Sequence, residues 1–194
     1  MTRWLVIIIN LFAYDICWTL TMFGAGRSWW WVAIVVTGLS VAGQLAISPV
    51  WRREAAVVLL GALVGVVTDA IGVRLGMFSY RAGVGVQFWI VFFALWANFG
   101  TVLRPSLFWM WNKPFLAVLL GAAGGPLAYW IGAKIGAIDL GDSVPRSLAW
   151  FGVQYAILTP AWMLAAQRVI GERGGQGPRS TPTEATPAEG RPPS

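Results

Sequence analysis

The residue of this chain best placed to do chemistry is an aspartate in the middle of an apolar stretch. It is Asp69, within "LLGALVGVVTDAIGVRLGMFSY" from Leu59 to Tyr80. An ionised, unpaired carboxyl in such surroundings costs several kcal/mol, so it is retained only when protonated, hydrogen-bonded or paired with a cation. Held that way, it can act as an acid, a base or a stabiliser of positive charge. A second acid, Asp15 in "NLFAYDICWTL", also reads as buried, although helical spacing turns it away from Asn10. Asn10, Tyr14, Cys17 and Thr21 share one face of that segment, and Thr37, Ser40, Gln44 and Ser48 form a weaker polar stripe in the next. Asn98, Gln154, Tyr155 and Thr159 add polar groups further along. For the uncharged ones the plain alternative is that they bond helix to helix.

What must position these groups is set by composition. Hydrophobic residues make up 57% of the 194 positions and charged ones 11%, against about 25% charged in soluble domains. Mean hydropathy is +0.66. The expected fold is therefore all-α, an integral membrane bundle of about six transmembrane helices. Apolar runs of about 20 residues, enough for a ~30 Å hydrocarbon core, are marked at 4–25, 29–50, 55–76, 86–105, 114–136 and 148–170. They form one transmembrane domain over 1–170. Residues 171–194, "GERGGQGPRSTPTEATPAEGRPPS", lack large apolar side chains and are expected to be a disordered cytoplasmic tail.

The high isoelectric point, about 10.3, does not point to nucleic acid, because the basic residues stand singly at the ends of apolar runs. Their bias gives an orientation instead. With both termini in the cytoplasm of a bacterial inner membrane, nine of them fall inside (Arg3, Arg52, Arg53, Arg104, Lys113, Arg168, Arg173, Arg179 and Arg191) and five outside (Arg27, Arg74, Arg81, Lys134 and Arg146). Tryptophans gather at both boundaries, as interfacial belts do.

A repeat links the acid to the scaffold. The segment "LLGAAGGPLAYWIGAKIGAIDL", Leu119 to Leu140, aligns without gaps with Leu59 to Tyr80 at an offset of 60. Gly61, Gly65, Gly72 and Gly76 meet Gly121, Gly125, Gly132 and Gly136, and Tyr129 stands where Asp69 stands. An offset of two helices preserves orientation, which suggests a parallel repeat of hairpins in which the third and fifth helices pack through their glycine stripes. Asp69 lies on the first stripe and so faces protein, with Tyr129 and Arg74 as candidate partners.

Asn10 with Trp18, Asp69 followed by "GMFSY", "TVLRPSLFW" at 101–109 and above all "GGPLAYWIGAKIGA" at 124–137 resemble the bacterial family DUF2878. The resemblance implies a small inner-membrane protein without an assigned activity, whose members accompany lipid-modifying enzymes. In the family pattern a Gln stands in place of Asp15 and an Asn-His pair in place of Arg104 and Pro105. Asp15 therefore weighs less than Asp69 as a reactive acid. Asp69 is the expected catalytic group, and Asn10, Asp15, Trp18, Tyr129 and Asn98 are the expected substrate contacts. No cofactor motif, nucleophile elbow or metal-ligand cluster is present, and there is no histidine, so no cofactor or metal is expected. Three functions stay open: a protein that handles or modifies a lipid or isoprenoid, a small permease with a buried proton site, and a membrane assembly subunit. The bilayer is the expected partner of each.

Overall fold

The computed structural model describes residues 3–81, 83 and 85–171. Six helices form an up-and-down bundle: α1 (Arg3–Gly26), α2 (Trp31–Ala46), α3 (Trp51–Arg74), α4 (Val86–Gly100), α5 (Pro114–Ile135) and α6 (Val144–Ile170). A 3₁₀ turn at Phe108–Met110 precedes α5, and two short strands, β1 (Phe78–Tyr80) and β2 (Ile138–Leu140), follow α3 and α5. Residues 172–194, which contain nearly all of the expected tail and three of its basic residues, lie outside the described residues.

α1, α3, α5 and α6 are long and apolar enough to cross a membrane. α2 and α4 are shorter than the apolar runs that encode them, with 16 and 15 residues, or about 24 and 22 Å at 1.5 Å per residue. Pro49 disfavours helical backbone at Ser48, just beyond the last residue of α2, Ala46. α4 gives way to turns after Gly100, where Thr101 and Val102 bond three residues back to Asn98 and Phe99, well before Pro105. α4 is the central helix, with Phe88, Val91, Phe92, Ala94, Trp96, Ala97, Asn98 and Gly100 all buried. The outside of the bundle is apolar: on α3 alone, Leu59, Leu60, Leu63, Val64, Val67 and Ile71 are exposed. In water such a surface would aggregate, whereas against hydrocarbon it costs nothing.

The strand pair makes the repeat visible in three dimensions. β1 and β2 are antiparallel, with Ser79 opposite Asp139 at the centre of the register. These two residues differ by 60, the offset of the sequence repeat, so a local two-fold axis passes through their pair. The helix ends that feed the strands match as well. Gly76 (φ 69°) and Gly136 (φ 85°) take left-handed conformations that a side chain would strain. Met77 N–H bonds to the Gly72 carbonyl and Ala137 N–H to that of Gly132, at 2.9 and 3.0 Å, which closes both helices in the same Schellman manner. Gly76 and Gly136 are thus caps, not packing glycines as their place on the stripes suggested. Three-residue strands leave too short an alternation to be read from sequence.

The stripes themselves do not pack against each other. A Cβ added at Gly65 would lie 2.0 Å from Trp96 Cδ2 on α4, and one at Gly61 would lie 1.7 Å from Trp162 on α6. Gly121 and Gly125 meet the backbone and ring of Tyr155 on α6. In each half, then, the glycines admit aromatic side chains of the even-numbered helices. The spacing signalled a close approach correctly but could not say what approaches.

Candidate functional site

Asp69 is fully buried on α3, and its surroundings follow from the glycine one turn before it. Residues i and i+4 stand one above the other on a helix face. Because Gly65 has no side chain, the Trp96 indole lies flat over that position and its Nε1 reaches the next turn, donating to Asp69 Oδ2 at 2.7 Å. From α6, Gln154 Nε2 donates to Asp69 Oδ1 at 2.9 Å and to Thr68 Oγ1 at 3.0 Å. Thr68 in turn donates to the Gly65 carbonyl at 2.7 Å. Tyr129, at the position related to Asp69 by the repeat, lies beside the carboxyl in the same cavity wall. Gln154 Oε1 is buried without a donor among the described residues.

The supporting rings repeat the two-fold pattern. Gly125 admits Tyr155 as Gly65 admits Trp96, and these two rings stack on each other at 4.9 Å with an interplanar angle of 22°. Tyr129 stacks on Phe151 at 3.5 Å and meets Tyr155 edge to face at 6.0 Å. Equivalent positions therefore carry unlike groups, an acid in one half and a phenol in the other, and the two meet. The expected partner Arg74 is instead exposed. Among the described residues the ion pairs are Arg104–Glu54 and Arg81–Asp139, so every partner assigned to Asp69 is uncharged.

A cavity of about 240 Å³ opens beside this network. Asp69, Trp96, Tyr129 and Tyr155 line one side, Tyr14 and Trp18 of α1 another, and Gly121, Gly124, Gly125 and Ala128 of α5 a third. On the α5 side Leu120 and Gly124 are exposed. A larger apolar groove, about 990 Å³, runs between α2, α3 and α4 but has no ionisable residue in its lining. The smaller cavity is the better candidate, because binding sites combine apolar walls with a few convergent polar groups.

Of the residues expected from sequence, Asp69, Tyr129 and Trp18 come together here. Asn10 and Asn98 do not line the cavity. Asn10 accepts from Ser106 Oγ at 2.6 Å and lies 3.5 Å from the Thr101 carbonyl, while Asn98 donates to the Tyr14 carbonyl at 3.0 Å and accepts from Ser40 at 3.2 Å. Both bind α1 and α2 to the α4 end of the bundle, and Asn98 thereby fixes the turn of α1 that carries Tyr14. Asp15, read as buried, is exposed on the outer face of α1 between Phe12 and Ile16. A single period could not decide which face of so uniformly apolar a helix turns inward.

Two features escaped the sequence reading. Gln154 and Trp96 are ligands of Asp69 from helices 85 and 27 residues away, and no local spacing connects them. Glu54, seemingly an ordinary charge at the start of α3, is buried and bonds with Arg104 at 2.8 Å. Its signal was the opposite charge of Arg104 at the same end of the bundle, visible only once the helices are antiparallel.

The chain was also compared with known proteins. A family model described as "Protein of unknown function (DUF2878)" matches residues 7–161, a span that includes Asp69 and every other cavity residue named above. No curated protein and no solved structure matches the chain.

Proposed function

Because the chain belongs to the DUF2878 family, whose description assigns no activity, we propose a function from the site itself: a multi-pass protein of the bacterial inner membrane that takes a lipid- or isoprenoid-class molecule from the bilayer into the cavity beside Asp69. One observation carries this reading. The cavity joins a buried carboxyl to aromatic and glycine walls, and its α5 side, at Leu120 and Gly124, is exposed on the apolar exterior of the bundle. A hydrophobic molecule can enter there without crossing water, keeping its apolar body against Trp18 and α5 while its polar end lies toward Tyr129 and the carboxyl behind it. Whether a bond is then made or broken is a separate question from binding, and the carboxyl is the one carboxylic acid in the lining, the side chain there best suited to give or take a proton.

The test is a lipidomic comparison of a deletion strain with its parent and with the strain complemented by the wild-type chain. The expected result is a change in one acyl-lipid or isoprenoid class that complementation reverses. Identical profiles in all three strains overturn the reading.

The two-fold relation of the α3–α4 and α5–α6 hairpins favours a second reading, a small permease in which Asp69 is a proton site between the repeats. An unchanged lipid profile with proton-coupled uptake by vesicles containing the protein is the result that selects it.

Orientation is part of the proposal. The end of the bundle formed by the starts of α3 and α5 and the ends of α4 and α6 carries Arg52, Arg53, Arg104, Lys113 and Arg168, and is assigned to the cytoplasm by the positive-inside bias. Reporter fusions after Gln167 are expected to be active for a cytoplasmic probe and silent for a periplasmic one. Alkaline phosphatase activity at that position reverses the assignment.

A further inference from the structure

We infer that the cavity beside Asp69 recognises an organic cation, a quaternary ammonium or protonated amine carried on an apolar body. The inference rests on the reading of this cavity as a substrate site and names the chemistry of the group that enters it. Three observations converge. The carboxyl is held by the Trp96 and Gln154 N–H groups, both neutral, so its charge has no counter-ion among the partners the structure gives it. The carboxyl has no exposed surface, so it acts on a cation in the cavity as a nearby negative charge behind the wall and not by direct contact. Six rings, Tyr14, Trp18, Trp96, Phe99, Tyr129 and Tyr155, share the lining with aliphatic and thioether side chains and the α5 glycines. Ring faces attract cations, more strongly when water is excluded, and cages of such rings are a recurring means of binding quaternary ammonium groups.

No lysine or arginine lines the cavity, so no cationic side chain of the lining competes for the carboxyl. An anionic head would face the carboxylate and the negative faces of the rings. An uncharged apolar group would gain contact with the rings and nothing from Asp69. The volume, about 240 Å³, is below the ~300–1,000 Å³ of typical ligand pockets. It suits a trimethylammonium-sized head with one ring or a short chain, the remainder of a longer molecule leaving past Leu120 and Gly124.

The experiment uses the purified full-length protein in lipid nanodiscs and radiolabelled benzyltrimethylammonium, whose charge does not depend on pH. Its uncharged isostere, neopentylbenzene, has the same shape with carbon in place of nitrogen. Saturable binding of the cation is expected, with the isostere competing at least tenfold more weakly. Dodecyltrimethylammonium separates the sources of the cation: tighter binding than the benzyl compound marks a membrane amphiphile, and equal binding marks a soluble amine. Gly124→Leu is the control that leaves the Asp69 bonds intact. It adds bulk at the exposed α5 mouth of the cavity, where an added Cβ meets no atom within 4 Å, and binding is expected to fall at least tenfold. Equal competition by neopentylbenzene overturns the inference while leaving an apolar substrate site in place. Absence of saturable cation binding by the wild-type protein overturns it as well, and the lipid comparison then judges the broader reading separately.

Discussion

Replacing Asp69 by leucine is expected to cost the protein most of its folded yield. The carboxyl accepts from Trp96 and Gln154 in a site with no exposure, and removing it strands their N–H groups. Each stranded buried donor costs about 1–3 kcal/mol, a large share of the ~5–15 kcal/mol that holds an ordinary domain together. Gln154 keeps Thr68 as an acceptor, so the loss falls chiefly on Trp96. Asp69→Asn is milder but not neutral. The two donors approach different oxygens of the carboxyl, whereas an amide has one acceptor oxygen and turns an N–H₂ group toward the other donor. Its expected cost is about 1–3 kcal/mol, with reduced but measurable accumulation and loss of complementation. The double variant Asp69→Leu with Trp96→Phe removes donor and acceptor together and is expected to recover part of the yield, since a matched apolar replacement leaves no stranded group at that bond. The measurements are the folded fraction by size-exclusion chromatography in detergent, the thermal midpoint, and the lipid profile of the complemented deletion strain. A wild-type midpoint for Asp69→Leu would show that the network contributes nothing to folding. Full complementation by Asp69→Asn would remove Asp69 as a functional group.

The second large effect is expected at the glycines that receive the rings. Gly65→Leu places its Cβ within 2.0 Å of the Trp96 indole. That ring cannot step aside cheaply, because it is stacked on Tyr155 and bonded to Asp69. Gly125→Leu meets Tyr155 at 2.5 Å in the same way. Overpacking ordinarily costs about 1–3 kcal/mol. Here the displaced ring also breaks the stack and, at Gly65, the bond to the carboxyl, so loss of monodisperse protein is expected for both variants. Gly38→Leu is the contrast: a Cβ there meets nothing within 4 Å, on an exposed face of α2, and leucine is the better helix former by roughly 0.5–1 kcal/mol. It should accumulate at wild-type level or above. Equal yields for the three variants would contradict the packing described for α3 and α5.

The same positions show how far the sequence carries. Six apolar runs and a repeat at an offset of 60 were legible because they need only the order of residue types along the chain and the match between run length and a hydrocarbon layer; that Gly76 and Gly136 cap their helices was not. The glycine stripe was legible too, and it placed Asp69 inside the protein. Asp15 was misjudged for a related reason. α1 is apolar nearly all round and packs on one side only, so its pattern does not say which side is buried.

What the sequence determined by itself is thus a helical bundle with an apolar exterior and one acid turned inward among glycines, since hydrophobicity and backbone sterics act residue by residue along the chain. What only the tertiary structure decided is the company that acid keeps: the indole of Trp96 lying over Gly65, the amide of Gln154 arriving from α6, Tyr129 meeting Asp69 across a two-fold axis, and the ring-lined cavity beside them. Those contacts join residues 27 to 85 positions apart. They exist because close packing at glycine lets distant side chains occupy the space a neighbouring side chain would have filled, a condition set by how the helices are laid against one another and not by the spacing within any one of them.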